Sequence, residues 1–153
     1  MHRPEGCPLA YRVFNALKIA IAATPAPNGP VRFVTLSFDP ARDTPDVMRC
    51  YAGSRAVDVS GGSRWYFLTT RSARELMPLE EGFDQDVRVT YDGSSGGNRS
   101  ELSHVLKVFL IDRAGYVREI YSSLFLHRQT VLNEIETLLI EEGSRTLRAT
   151  VPK

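Results

Sequence analysis

A cysteine and a proline, Cys7-Pro8, stand immediately before an apolar-periodic run from Leu9 to Ala23. This junction limits what the chain can fold into more than any other stretch. Leu9, Val13, Leu17, Ala20 and Ile21 recur at helical spacing with Phe14 beside them, which predicts an amphipathic helix over residues 8–23. Proline suits the first helical position, because its φ is already helical and no needed N–H is lost. The cysteine then sits at a helix N-terminus, where unpaired N–H groups and the positive end of the dipole favour thiolate over thiol. The competing reading is a small buried hydrophobe, as free cysteines usually are. The flanking prolines and the helix-mouth position favour a functional sulfur, more reactive toward alkylation than Cys50.

The rest of the composition narrows the function class. Of 153 residues 42% are apolar, enough for the core of one domain. The formal net charge is +1 and the basic residues are scattered, so no electrostatic footprint for nucleic acid is present. No run approaches the ~20 apolar residues of a membrane span, and no secretory signal is legible in the sequence as given. Two cysteines, Cys7 and Cys50, cannot make a disulfide framework.

Taken in order, Thr24 to Pro30 breaks the first helix and Val31 to Phe38 reads as a strand. Asp39 to Pro45 is a turn ending in a helix start, with Thr44 as N-cap and the helix reaching about Ala56. Val47, Cys50 and Tyr51 share a face of that helix, which predicts a core role for Cys50. Asp39 and Asp43 are read as turn builders rather than as metal ligands or acid–base groups. Ser60 to Ser63 is a joint, Trp65 to Thr69 a strand, and Ser72 to about Phe83 a helix that Pro78 threatens to shorten. Met48 and Met77 fall in apolar helical patterns and are expected in the core. Val87 to Tyr91 alternates as a strand, and Asp92 to Ser100 is loop by composition. That loop lacks the flanking elements of a phosphate-cradling one. Val105 to Ile111 and Tyr116 to Tyr121, joined by Asp112-Arg113-Ala114-Gly115, read as a β-hairpin. A last helix runs from about His127 to Glu142. The expected division is one domain over 1–142 and a polar tail over 143–153.

This order of elements is the plan of a thioredoxin-like α/β sheet with flanking helices. Such a sheet has a central strand before the cysteine helix, and Met1 and His2 cannot supply one. Two neighbouring strands should therefore keep unpaired edges with a slot through the core between them. The sequence as given is thus expected to be a truncated reading. An upstream extension should encode a β-rich strand and, before it, a signal or membrane anchor. The chain by itself should melt without a sharp transition or aggregate.

Three segments together resemble the SCO/SenC family: Arg3-Pro4-Glu5-Gly6-Cys7-Pro8, Ser37-Phe38-Asp39-Pro40-Ala41-Arg42-Asp43-Thr44-Pro45, and Ser103-His104. The resemblance covers about residues 3–142, and the Asp-Pro-x-x-Asp-Thr-Pro segment is its most specific piece. It implies a thioredoxin-like fold and a role in delivering copper to the binuclear copper site of a cytochrome c oxidase subunit, or in reducing that site's thiols. It also implies an anchor, absent from this chain, holding the protein to a membrane on the periplasmic side or in the mitochondrial intermembrane space. The family motif is Cys-Pro-x-x-Cys-Pro with a distant histidine as third copper ligand. Cys7 matches the second cysteine and His104 the histidine, whereas Arg3 stands in place of the first cysteine. Ser103 replaces an aspartate often found before the histidine.

Soft thiolates suit Cu(I), and an imidazole completes a site that also tolerates Cu(II). With Arg3 in the first position a ligand is lost, a cation stands nearby, and copper should bind weakly. Intramolecular disulfide chemistry is lost with it, so a thiol–disulfide reductase is not expected. The implied metal ligands are Cys7 and His104, which should lie close together. His2 is read as terminal and His127 as solvated. The alternative is a remnant or interaction domain of the same fold that binds no metal. A single-cysteine peroxidase is disfavoured, because Pro4, Glu5 and Gly6 occupy the places where a peroxide-orienting hydroxyl is needed.

Overall fold

The computed structural model describes residues 6–23, 31–59, 63–85, 87–92, 99–104 and 106–150, with the side chains of 6–7, 87–92, 99–104 and 145–150 left out of the description. The elements are α1 (Gly6–Ala23), β1 (Phe33–Leu36), α2 (Pro45–Arg55), β2 (Trp65–Leu68), α3 (Ala73–Gly82), β3 (Val87–Asp92), β4 (Arg99–His104), β5 (Lys107–Ile111), β6 (Val117–Ser122) and α4 (Arg128–Thr150). Local chemistry sets several boundaries. Thr44 caps α2 by accepting from the Val47 N–H at 3.5 Å, with Pro45 at the first helical position. Ser72 caps α3 by accepting from the Glu75 N–H at 3.4 Å. Pro78 lies inside α3 without ending it.

β1 and β2 pair in parallel, with Phe33 opposite Trp65 and Thr35 opposite Phe67. Alternate residues of a strand share a face, so the aromatic set of both strands meets α1. Phe14 lies 5.1 Å from Phe33 and 5.4 Å from Trp65 between ring centroids, and Tyr11 stacks on Phe67 at 6.2 Å. Such offset and tilted rings add to the stabilisation from burial alone. The Trp65 indole N–H is satisfied by Thr35 Oγ1 at 3.0 Å. Leu17, Phe33, Tyr121, Leu126, Val131 and Ile135 form the buried cluster, drawn from α1, β1, β6, the turn after it and α4. The Tyr121 hydroxyl donates to Glu134 at its edge. Desolvation pushes the Glu134 carboxyl above its ordinary value, with the Glu119 charge adding to the shift.

The expected hairpin is β5–β6, antiparallel from Lys107 opposite Ser122, with an irregularity at Leu110/Ile111. Its turn needs Gly115, whose φ is +89°. Asp112 organises that turn: one carboxylate oxygen accepts from the Ala114 and Tyr116 N–H groups, each at 3.0 Å. The other accepts from Arg118 at 3.3 Å, and Arg118 also reaches Glu141 of α4 at 3.0 Å. The Tyr116 amide is the main reason the Asp112 carboxyl lies below its ordinary value, helped against desolvation by Arg118 and the Ala114 amide. A depressed carboxyl contributes stability above its unfolded pKa and loses it as pH falls through the folded one. Asp112→Asn should therefore lower Tm at neutral pH, and the gap to the parent should close on acidification below about pH 4, the ordinary range of aspartate. A gap that stays constant across an acid Tm series would contradict this.

Four sequence expectations are corrected. The loop expected over Asp92 to Ser100 gives way to strand at both ends: Asp92 closes β3, and Arg99 and Ser100 open β4, which pairs antiparallel with β3 from His104 opposite Val87 to Arg99 opposite Asp92. Arg-Ser-Glu-Leu-Ser-His has no strand pattern of its own, so its conformation comes from its partner. The strand expected from Val105 begins at Lys107, and Val105 itself lies outside the described residues. α4 continues past Glu142, through Gly143, to Thr150, with Ser144 Oγ donating to the Ile140 carbonyl at 3.0 Å.

The fourth correction is the roll of α2. Its buried residue is Met48, 3% exposed, while Cys50 is exposed and Tyr51 is 38% exposed. Asn15 of α1 donates to the Arg55 carbonyl at 2.7 Å and accepts from the Val57 N–H at 2.8 Å. Lys18 donates to the Val57 carbonyl at 2.7 Å. These bonds hold the end of α2 against α1, and the inward stripe passes through Met48 and Ala52, one step from the face predicted. Met77 is likewise outside the core, at 51% exposure. Cys50 should react with maleimide in the native protein without denaturant, as mass spectrometry of the labelled peptide can show. Modification that requires unfolding would contradict the placement of α2.

The expected slot is present. Among the described residues the strands form three two-stranded sheets, with β1 bonded only to β2 and β5 only to β6. A cavity of about 560 Å³ is lined by β1 and β5 along their whole lengths. Phe14 and Leu17 of α1 with Val131 and Ile135 of α4 line it too, as do Leu76, Leu79 and Phe83 in or beside α3. Phe83 packs on Phe109 of β5 at 4.8 Å.

Candidate functional site

Cys7 occupies the first turn of α1, the second residue of the helix. The expected helix mouth is therefore where the sequence put it, and the dipole argument for a thiolate applies to that position. The aromatic contacts of Tyr11 and Phe14 hold the next two turns of α1 against β1 and β2. The Arg55 guanidinium lies 5.9 Å from the Tyr11 ring centroid and adds a cation–π contact. A sulfur on α1 is thus carried by an element fixed on several sides.

His104 is the last residue of β4, opposite Val87, three positions ahead of the first residue of β5. α1, which carries Cys7, lines the slot through Ala10 and Tyr11, and Leu106 and Lys107, which follow His104 in sequence, line it too. The side chains of Cys7 and His104 lie outside the described residues, as do Arg3 and His2, and the expected approach of sulfur to imidazole lies outside them too.

The neighbouring Asp-Pro-x-x-Asp-Thr-Pro loop is described in full and behaves as a turn. The Ser37 hydroxyl, on a buried residue, donates to Asp43 Oδ2, and its oxygen accepts from the Asp39 N–H at 3.0 Å. The Asp39 carbonyl accepts from the Arg42 and Asp43 N–H groups at 3.0 and 2.8 Å, and its carboxylate pairs with Arg42 at 3.5 Å. Asp43 is thus tied to Ser37 and Asp39 to its own turn, which supports the structural reading of both. His127 is exposed just before α4, where its carbonyl accepts from the Val131 N–H at 3.1 Å. Among the described residues no group of three His, Cys, Asp or Glu is placed to hold a metal ion.

Sequence reasoning did not find the β3–β4 hairpin that delivers His104. No local signal pointed to it, because residues 99–104 alternate neither in polarity nor in β propensity.

The family described as SCO1/SenC matches residues 2–140. No curated protein matches the chain. Solved structures share its fold. The crystal structure of Arabidopsis thaliana ScoI with copper bound superposes with a TM-score of 0.64 at 20% identity, covering 89% of this chain and 78% of that one. The solution structures of apo Sco1 from Thermus thermophilus give 0.69 at 17% identity, covering 90% and 73%. The structure of Bradyrhizobium japonicum ScoI with copper bound gives 0.60 at 18% identity, covering 80% and 69%. At these identities the likeness establishes a shared thioredoxin-like α/β fold. The family match spans Cys7, the Asp-Pro turn and His104 together, and with it the chain belongs to the SCO1/SenC family.

Proposed function

We propose that this chain binds copper through Cys7 and His104 and serves the assembly of the binuclear copper site of a cytochrome c oxidase subunit, with copper as its cargo. The observation that carries this reading is the family match across both residues, with Cys7 in the first turn of α1 and His104 at the end of β4. Two of the structural neighbours are described with copper bound. The donor set fits the softer oxidation state: a thiolate at a helix N-terminus and a neutral imidazole suit Cu(I). Arg3 in place of the first motif cysteine makes the site two-coordinate from protein ligands, and the affinity correspondingly weaker. In this role the chain works on the periplasmic side of a membrane or in the mitochondrial intermembrane space.

A Cu(I) titration against a competing chelator tests the proposal. The parent chain should bind one copper, and Cys7→Ala and His104→Ala should each lose that binding while keeping the parent Tm without metal. No copper-dependent change in the parent would overturn it. Arg3 favours a second reading, an interaction domain of the same fold that carries no metal; the parent and Cys7→Ala would then titrate identically.

A further inference from the structure

Leu124 is the most exposed large apolar residue among those described, at 77%, and Phe125 beside it stands at 68%. Single apolar side chains scattered over a surface need no explanation, but two in succession on one turn do. Backbone bonds hold the pair in place: the Phe125 N–H donates to the Ser122 carbonyl at 3.1 Å, and the His127 N–H to the Phe125 carbonyl at 3.0 Å. Leu126, the next residue, is 2% exposed and ties the turn to the buried cluster with Tyr121 and Val131. The tip is a fixed apolar knob, so little ordering cost remains when a partner covers it.

Its place in the fold points to the partner. Ser122 stands opposite Lys107 in the β5–β6 ladder, and Lys107 follows His104 by three residues. Chain reach and strand spacing put the Cα atoms of His104 and Leu124 at most about 24 Å apart. A standard interface covers about 800 Å² of each partner, a disc about 32 Å across, so one footprint spans both residues. Copper held at His104 passes to an acceptor by ligand exchange, which brings the acceptor's own ligands against the ion. The surface around His104 is covered by the acceptor while that exchange takes place. We infer, on the copper-delivery reading, that Leu124 and Phe125 form the apolar anchor on which the copper-accepting polypeptide docks.

The surroundings of the knob define the matching face. His127 and Arg128 follow it and are exposed, and no aspartate or glutamate lies between Ser122 and Asn133 in the sequence. The acceptor therefore offers an apolar recess with carboxylates at its rim, beside its copper ligands. The buried apolar contact carries the affinity, whereas the charged rim steers the approach and makes it salt-dependent. Tyr116 is exposed to a similar degree, at 70%, but stands in the connection at the opposite end of the same hairpin, which makes it a matched control.

The test uses the copper-free chain and the copper-free soluble domain of an oxidase subunit that carries the binuclear copper site. That domain is labelled at its N-terminus and its fluorescence anisotropy is read. The parent chain should bind it saturably. Leu124→Ser and Phe125→Ser should each weaken binding about tenfold, the scale of a hot-spot contact. Both variants should keep the parent's Tm, because both side chains are exposed. Tyr116→Ser should bind as the parent does. Cys7→Ala should dock normally while losing copper, so a failed copper titration and a failed docking are separate results. No saturable binding by the parent, or parent-like binding by both Leu124→Ser and Phe125→Ser, would overturn the proposal. So would flotation of the parent with phosphatidylglycerol vesicles that Phe125→Ser abolishes, which would assign the knob to a bilayer.

Discussion

Arg3→Cys is expected to raise Cu(I) affinity by about a hundredfold or more. Structural zinc sites with four ligands bind with roughly 10–16 kcal/mol. One ligand is therefore worth on the order of 3 kcal/mol, which is about a hundredfold in the binding constant. The substitution restores the Cys-Pro-x-x-Cys-Pro spacing around Pro4 and Pro8 and removes a cation four residues from Cys7 in sequence. Both changes act in the same direction, and Arg3→Ala separates them. That control removes the charge without adding a ligand and should gain much less, since it supplies no donor atom to copper. Competition with a chromophoric Cu(I) chelator gives both constants. Arg3→Cys should also gain an option that the parent lacks: mild oxidation should consume two thiols together and leave Cys50 free, as thiol counting would show. An affinity unchanged from the parent would mean that Cys7 is not in the copper site at all.

Much of the fold was legible because its signals are local. Pro8 with the Leu9–Ile21 spacing marks α1, Thr44-Pro45 starts α2, and the Asp112 to Gly115 turn between two β-rich runs marks the last hairpin. What escaped was set by tertiary contact. β4 is strand because Val87–Asp92 lies beside it, and no propensity within Arg99–His104 announces that pairing. The α2 face was misread by one step because Val47, Cys50 and Tyr51 are the more apolar set. The bonds from Asn15 and Lys18 to Arg55 and Val57 fix which side turns inward. α4 runs beyond Gly143 although its sequence there turns polar, and its preceding turn is pinned by the salt bridges from Arg113 to Glu142 and Arg118 to Glu141. For the candidate site, helix-mouth chemistry alone singled out Cys7. His104 had no such mark and was found only through the family motif, because a lone histidine before a strand has no distinguishing local pattern.

Leu17→Ala is expected to cost about 3–5 kcal/mol, the range for removing a buried leucine and leaving a cavity. Leu17 is 1% exposed, belongs to the buried cluster, and lines the slot as well. Truncation there would extend an existing cavity, and collapse around the lost atoms is hindered because the surroundings already fail to close. That places the effect toward the upper end of the range. Domains of this size hold only ~5–15 kcal/mol in total, so the variant should lose a large share of its stability and shift its urea midpoint well below the parent's. Ile19→Ala, on the same helix at 53% exposure, is the control and should change stability by about 0.5 kcal/mol or less. The pair also tests what holds Cys7 in place. α1 is fixed to the sheet by Phe14 and Tyr11 and to α4 through Leu17 and the cluster it shares with Val131 and Ile135. If that packing positions the helix mouth, Leu17→Ala should weaken Cu(I) binding at temperatures where the variant is still folded, and Ile19→Ala should not. Equal midpoints for the two variants would show that the α1–α4 contact contributes little to the fold.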